Sequence, residues 1–138
     1  MEMNIGLKMG AVIKSIGKLI DQSVMDEGIE LSMEYFILLN ILYDRDNIIQ
    51  NDLANLMHKD KSAILRQIDL LEKKKLVVRI NDSVDRRKKI IMLTKDGMKT
   101  VERLREVEAD IFNSLLKGIS EEDLKIFDSV LNKMRAQV

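Results

Sequence analysis

The sequence contains no cysteine, no proline and no tryptophan, and a single histidine. Without cysteine, disulfides, thiolate metal sites and thiol redox sensing are excluded together. One histidine, His58, is too few to assemble a usual transition-metal site, and it reads as a solvent-exposed turn residue. With no proline and only 6 glycines in 138 residues, helix breakers are scarce, which favours one mostly helical domain without a linker. Long apolar runs are missing too. The longest, Tyr35 to Leu39, falls far short of the roughly 20 residues that cross a bilayer, so no membrane partner is expected. The start, Met1-Glu2-Met3-Asn4, lacks the charged segment and unbroken apolar core of a secretion signal, so the expected location is cytoplasmic. There is no Gly-x-Ser-x-Gly elbow, no glycine-rich phosphate loop and no metal motif, so no catalytic residue, metal or cofactor is expected and the chain is read as a non-enzyme. Nor is there a net charge, since 23 Lys and Arg balance 23 Asp and Glu.

That neutrality hides an uneven distribution. Lys59 to Lys89 carries eleven Lys and Arg against five Asp and Glu, a local net of +6 that leaves −6 on the rest of the chain. A basic segment on an otherwise acidic protein steers one face toward phosphate. The same stretch has a recognisable plan. Gln50 to Met57 places Leu53, Leu56 and Met57 on one helical face, and His58-Lys59 makes a turn. A second helix then runs from about Lys61 to Lys75, capped by Asp60, with a buried stripe of Ile64, Ile68 and Leu71. Lys61, Ser62, Leu65, Arg66 and Asp69 face away from that stripe, and such a helix fits a DNA major groove about 12 Å wide. Lys61, Ser62, Leu65 and Arg66 are therefore the candidate base-reading residues, with Arg66 suited to guanine and Leu65 to a thymine methyl.

The β-branched run Leu76 to Ile80 and the run Ile90 to Thr94 flank the charged loop Asn81 to Lys89, as two strands of a hairpin do; Ile48-Ile49 is placed to add a short third strand. Asp85, Arg86, Arg87, Lys88 and Lys89 make this loop a second candidate DNA contact. Asp85 and Arg87 are two apart, so an extended tip projects them to one side, where the carboxylate holds the guanidinium, while Arg86, Lys88 and Lys89 face phosphates. Lys73-Lys74-Lys75 reads equally well as a phosphate-binding run or as a solvated helix end favoured by the dipole.

Around this centre lie further helices. From Ile5 to about Asp26 the apolar residues fall within an arc of roughly 140°, and Gly28 breaks the chain. Ser32 is expected to cap a helix from Met33 to Tyr43, apolar on nearly every face and therefore central to the lobe. Thr94 caps a helix from Lys95 to about Lys117, and Ser120 with Glu121, Glu122 and Asp123 starts a last one bearing Leu124, Phe127, Val130, Leu131 and Met134. The 9 methionines, at helical spacing, are expected to fill the core. Broad apolar faces on the first and last two helices exceed what one small chain covers, which points to a homodimer.

Leu53-Ala54, Asp60-Lys61-Ser62, Arg66, Asp69, Leu71-Glu72-Lys73, Leu76-Val77, Asp82, Asp85-Arg86-Arg87, Leu93-Thr94 and Gly97, in this order and spacing, resemble the multiple-antibiotic-resistance regulator (MarR) family of bacterial transcription factors. The resemblance implies a mainly α fold with a small β-wing: a winged helix-turn-helix lobe over 30–94, with dimerisation helices over 1–28 and 95–138 of a single domain spanning 1–138. It also implies a homodimeric repressor of a palindromic DNA operator, with Arg87 entering the minor groove, and often a small aromatic or phenolic effector that releases DNA. No motif marks the residues that would bind such a ligand, and regulation by abundance alone stays open. Three positions depart from the family: Lys75 and His58 stand where Gly is usual, and Ile49 where Ser or Thr is common. An alternative from another class is a winged-helix module for protein-protein contact with a silent DNA face.

Overall fold

The computed structural model describes residues 4–138; the first three residues of the expected 1–28 segment, and most of the Met1 to Asn4 start, lie outside it. The described chain runs α1 (Ile5–Asp26), α2 (Met33–Asp44), β1 (Ile48–Ile49), α3 (Gln50–Leu56), α4 (Lys61–Lys73), β2 (Val77–Asn81), β3 (Lys89–Leu93), α5 (Lys95–Leu115) and α6 (Glu121–Arg135). This is a winged helix-turn-helix with flanking helices. It divides into two compact units, Met1–Glu108 and Ala109–Val138, with α5 passing from the first into the second.

The three strands form an antiparallel sheet in the order β1-β3-β2. Val77 pairs with Leu93, Arg79 with Ile91 and Asn81 with Lys89, while Ile48 faces Ile91 from the other side. This register turns Val77 and Ile91 into the core and leaves Val78 and Met92 outside, as the twofold period of a half-buried sheet requires.

In the first unit, Leu38, Leu39, Leu53, Ile64, Ile68 and Leu71 are wholly buried together with Val77, Ile91 and Val101. Each such side chain contributes about 1.5–3 kcal/mol of transfer free energy. The expected stripe of α4 is borne out, and α2 sits in the core through Phe36, Leu38, Leu39 and Leu42. In α3 the expected face is only partly buried, since Leu53 is enclosed while Leu56 is 37% exposed.

Four helix ends use left-handed residues. Gly28 ends α1 and Gly118 follows α5, where glycine adopts positive φ freely. After α4, the amide of Lys75 donates to Glu72 O and that of Leu76 to Leu71 O, both at 2.9 Å, which forces Lys75 to φ 61°. His58 does the same after α3 at φ 52° and is exposed, as expected. The chain thus keeps a turn geometry that favours glycine while using side chains that tolerate it less well.

Two expectations fail. Ser32 occupies the N-cap position of α2 but its side chain makes no capping bond, because the helix instead starts with backbone bonds from Tyr35 and Phe36 to the Ser32 carbonyl. Methionine does not fill the core: none of the described ones is buried, and Met25, Met92, Met98 and Met134 are more than two-fifths exposed. Of the described ones, Met57 alone is partly buried against the core cluster. The caps at Asp60, Thr94 and Ser120 are present, and α3 starts without a side-chain cap, as Ile49 dictates.

Arg103 ties α5 to the end of α1. Its Nε donates to Glu27 Oε2 at 2.8 Å, its Nη2 also meets Glu27, and its Nη1 donates to Glu106 at 2.7 Å. These bonds hold the Glu27 carboxyl below its usual pKa and push Arg103 up.

Apolar residues remain open on two helices. On α1 only Ile20 and Val24 are buried, with Ile5, Val12, Ile13 and Met25 at least 57% exposed. No residue of α6 is buried, and Ile126, Phe127, Val130, Leu131 and Met134 are exposed.

Candidate nucleic-acid interface

Helix α4 is presented by its own sequence. Asp60 Oδ1 accepts the Ala63 amide at 2.7 Å, fixing the helix start, and Ile64, Gln67, Ile68 and Leu71 bury one face. Lys61, Ser62, Leu65 and Arg66 are therefore turned outward, all exposed. The structure brings these four onto one free helical surface, which is what reading base edges requires.

Gln67, which the sequence reading passed over, is 7% exposed and donates from Nε2 to Glu34 Oε2 at 3.2 Å, while its Oε1 has no hydrogen-bond partner. Glu34 also takes Lys59 Nζ at 2.9 Å. Lys59 is thus neutralised against α2 and the turn before α4 is pinned to it. No spacing rule marks Gln67; only its place between Ile64 and Ile68 on the buried stripe does.

The wing tip differs from the expected extended arrangement. Lys88 N donates to Asp85 O at 3.0 Å, closing a turn over Asp85 to Lys88, and Asp85 Oδ1 accepts the backbone amide of Arg87 at 3.0 Å. Asp85 therefore holds the Arg87 main chain, not its guanidinium. An aspartate bonds the amide two residues on at little entropic cost, whereas an exposed carboxylate-guanidinium pair gains little in water. Asp82 repeats the motif by accepting Val84 N at 3.2 Å, which leaves Val84 92% exposed at the tip. Arg86, Arg87, Lys88 and Lys89 are exposed, and Lys89 also donates a hydrogen bond across the hairpin to the neutral side chain of Asn81.

Among the described residues, no ion pair engages Lys61, Arg66, Arg86, Arg87 or Lys88. Lys74 and Arg79, by contrast, are engaged within the protein. Lys74 lies 3.9 Å from Glu30, and Arg79 bonds Asp69, Glu72 and Gln50. Asp69, grouped above with the outward face of α4, is thereby occupied within the protein. Lys61, Arg66, Arg86, Arg87 and Lys88 are among the cations left without an ion pair, and they stand on the outward face of α4 and on the wing tip, where a phosphate-binding surface would need them.

A separate cavity of about 360 Å³ lies between the end of α2, the 45–47 turn, β3 and the start of α5, with Tyr43, Arg45, Met92 and Met98 in its wall. Among the described residues, no group of His, Asp and Glu is placed to hold a metal ion, and no helix is long and apolar enough to cross a membrane.

Residues 31–89 match the model of the MarR family. An HTH-type transcriptional regulator of Bacillus subtilis (strain 168), YdgJ, is 29% identical over 108 residues, covering 78% of this chain; the chain spans 66% of that relative's length. Among solved structures, Staphylococcus aureus MepR in complex with DNA superposes with a TM-score of 0.86 at 26% identity, covering 99% of this chain and 100% of MepR. The repressor CouR bound to a 23-mer DNA duplex shares the fold with a TM-score of 0.83 at 20% identity, covering 98% of this chain and 99% of CouR.

Proposed function

We propose that the chain, which is similar to the MarR family of transcriptional regulators, is a member of it and acts as a homodimeric repressor reading a palindromic DNA operator. The observation that carries this reading is the outward face of α4. Lys61, Ser62, Leu65 and Arg66 are free there because the opposite face is locked into the core. In a major groove, Arg66 presents two parallel donors to guanine O6 and N7, and Leu65 meets a thymine methyl. Arg87 on the wing enters the neighbouring minor groove, where it senses width and A·T content, while Arg86, Lys88 and Lys89 bind phosphate.

Dimerisation is supported by the open apolar residues of α1 and α6. A second copy offers matching faces, and a twofold dimer places two α4 helices about one DNA turn apart, which makes the operator palindromic. Release by a small aromatic or phenolic ligand belongs to the same reading. The cavity beside β3 supports it, since an occupant there touches the central strand of the wing and the start of α5. A thermal-shift screen of small aromatic acids, followed by operator release, tests that part.

The experiment for the whole is a gel shift with the DNA upstream of the protein's own gene. Retardation that survives excess random competitor is expected. No retardation on any duplex at low salt favours the alternative, a winged-helix module for protein-protein contact.

A further inference from the structure

Arg79 takes no part in the interface described above, yet it is the most connected cation of the winged lobe. From β2 its Nη2 reaches Asp69 Oδ1 at 2.5 Å and its Nη1 reaches Glu72 Oε1 at 3.0 Å. Its Nε donates to Gln50 Oε1 at 3.3 Å. Asp69 and Glu72 lie one turn apart on α4, Gln50 opens α3, and β2 is the first strand of the wing. One guanidinium therefore joins both helices of the helix-turn-helix to the hairpin. Its planar fork holds fixed directions, unlike the point charge of a lysine. The Arg79 side chain is only 19% exposed, so it is enclosed by the protein and not presented to solvent as Arg66 and Arg87 are.

We propose that Arg79 is a positioning residue for DNA recognition: by bridging Asp69 and Glu72 of α4 and Gln50 of α3 from the first strand of the wing, it fixes the angle of the wing to the recognition helix. The inference rests on the regulator reading given above. A base-reading helix and a minor-groove arginine bind one half-site together only if their separation matches the DNA, so a wing that swings loses specific binding more than nonspecific binding. The bridge also engages two carboxylates of α4 that would otherwise face phosphate unpaired.

The test uses the full chain. A duplex is first selected from a random library with the wild type. Its affinity, and that of a random duplex, is then measured for Arg79→Lys and for the double variant Asp69→Asn/Glu72→Gln, well below their melting temperatures. Both should lose about tenfold or more on the selected duplex and less than about threefold on the random one. The double variant discriminates sharply, because it removes two negative charges from the DNA-facing helix and charge counting predicts tighter binding. Geometry is read separately. Because the chain has no cysteine, Lys73→Cys and Val84→Cys can carry a spin-label pair, diluted into unlabelled protein so that distances come from within one protomer. Without DNA, the wild type should give one narrow distance distribution, and both variants a broader or displaced one. Distributions that superimpose on the wild type, or variants that bind the selected duplex as tightly as the wild type, overturn the proposal while leaving the regulator reading intact. A wild type that retains no duplex overturns that reading, and this inference with it.

Discussion

The hydroxyl of Thr94 donates to the carbonyl of Lys75 at 2.7 Å and accepts the amide of Gly97 at 3.0 Å, so one side chain both caps α5 and ties it to the end of α4. The Thr94 amide adds a bond to Leu76 O at 3.0 Å. This junction joins α4 to the long helix α5.

Gly97 is the tightest point of the junction. A Cβ there would lie 2.0 Å from Leu76 O, a backbone atom that cannot swing aside. Gly97→Ala should therefore destabilise the chain by about 3 kcal/mol. Lys75→Gly should do the reverse, raising stability by about 0.5 to 1 kcal/mol as the strain of φ 61° is relieved against the extra freedom of glycine in the unfolded chain. Denaturant unfolding of the two variants checks both signs.

Arg66→Ala should cost about 1 to 3 kcal/mol of operator binding and relax preference at one base pair of each half-site. Competition against operators mutated one position at a time measures this. An equal loss on operator and random DNA would make Arg66 a phosphate contact.

Asp85 now carries a prediction about backbone. Removing the carboxylate opens the bond to Arg87 N, so Asp85→Ala should weaken operator binding by about 1 kcal/mol although it deletes a negative charge. Asp85→Asn, whose amide oxygen accepts the same N–H, should bind almost as the wild type. If Asp85→Ala binds more tightly at every salt concentration, the tip is a charge patch only.

The Glu27-Arg103 pair governs an acid limb. Arg103 holds the folded carboxyl of Glu27 below its ordinary value of 4.5, so the pair's contribution is fully present above 4.5 and is lost as pH falls through the lowered value. Melting temperature should fall below pH 4.5, and Glu27→Gln should flatten that part of the fall. A Glu27→Gln profile parallel to the wild type would remove Glu27 as a cause.

Much of this is legible in the sequence itself. The apolar stripe of α4 marks the face that it buries, whereas the stripe of α1 marks a helix of which only Ile20 and Val24 are buried within the chain. The left-handed Lys75 was legible as a side chain where the resembling family has glycine. Ser32 was misread because residue type sets a capping preference but not the rotamer that makes the bond. At the wing tip, Asp85 had two partners within reach, the Arg87 amide and the Arg87 guanidinium; spacing alone favours neither, and the local amide wins. Arg79 was counted only as one more positive charge, since its partners Gln50 and Asp69 lie 29 and 10 residues away and meet it only when the wing folds back on the two helices. Helical spacing points the methionines to a core, whereas Met25, Met92, Met98 and Met134 are exposed and, of the described ones, only Met57 packs against the core from its edge.

The most direct test of the account is a hydroxyl-radical footprint of the wild-type protein on the duplex it selects. Two protected patches related by a twofold axis, their centres about one helical turn apart and each flanked by protection across a minor groove, are the expected result. A single asymmetric patch, or no protection under conditions where the protein is folded, would contradict the claim that paired α4 helices and wings read a palindrome.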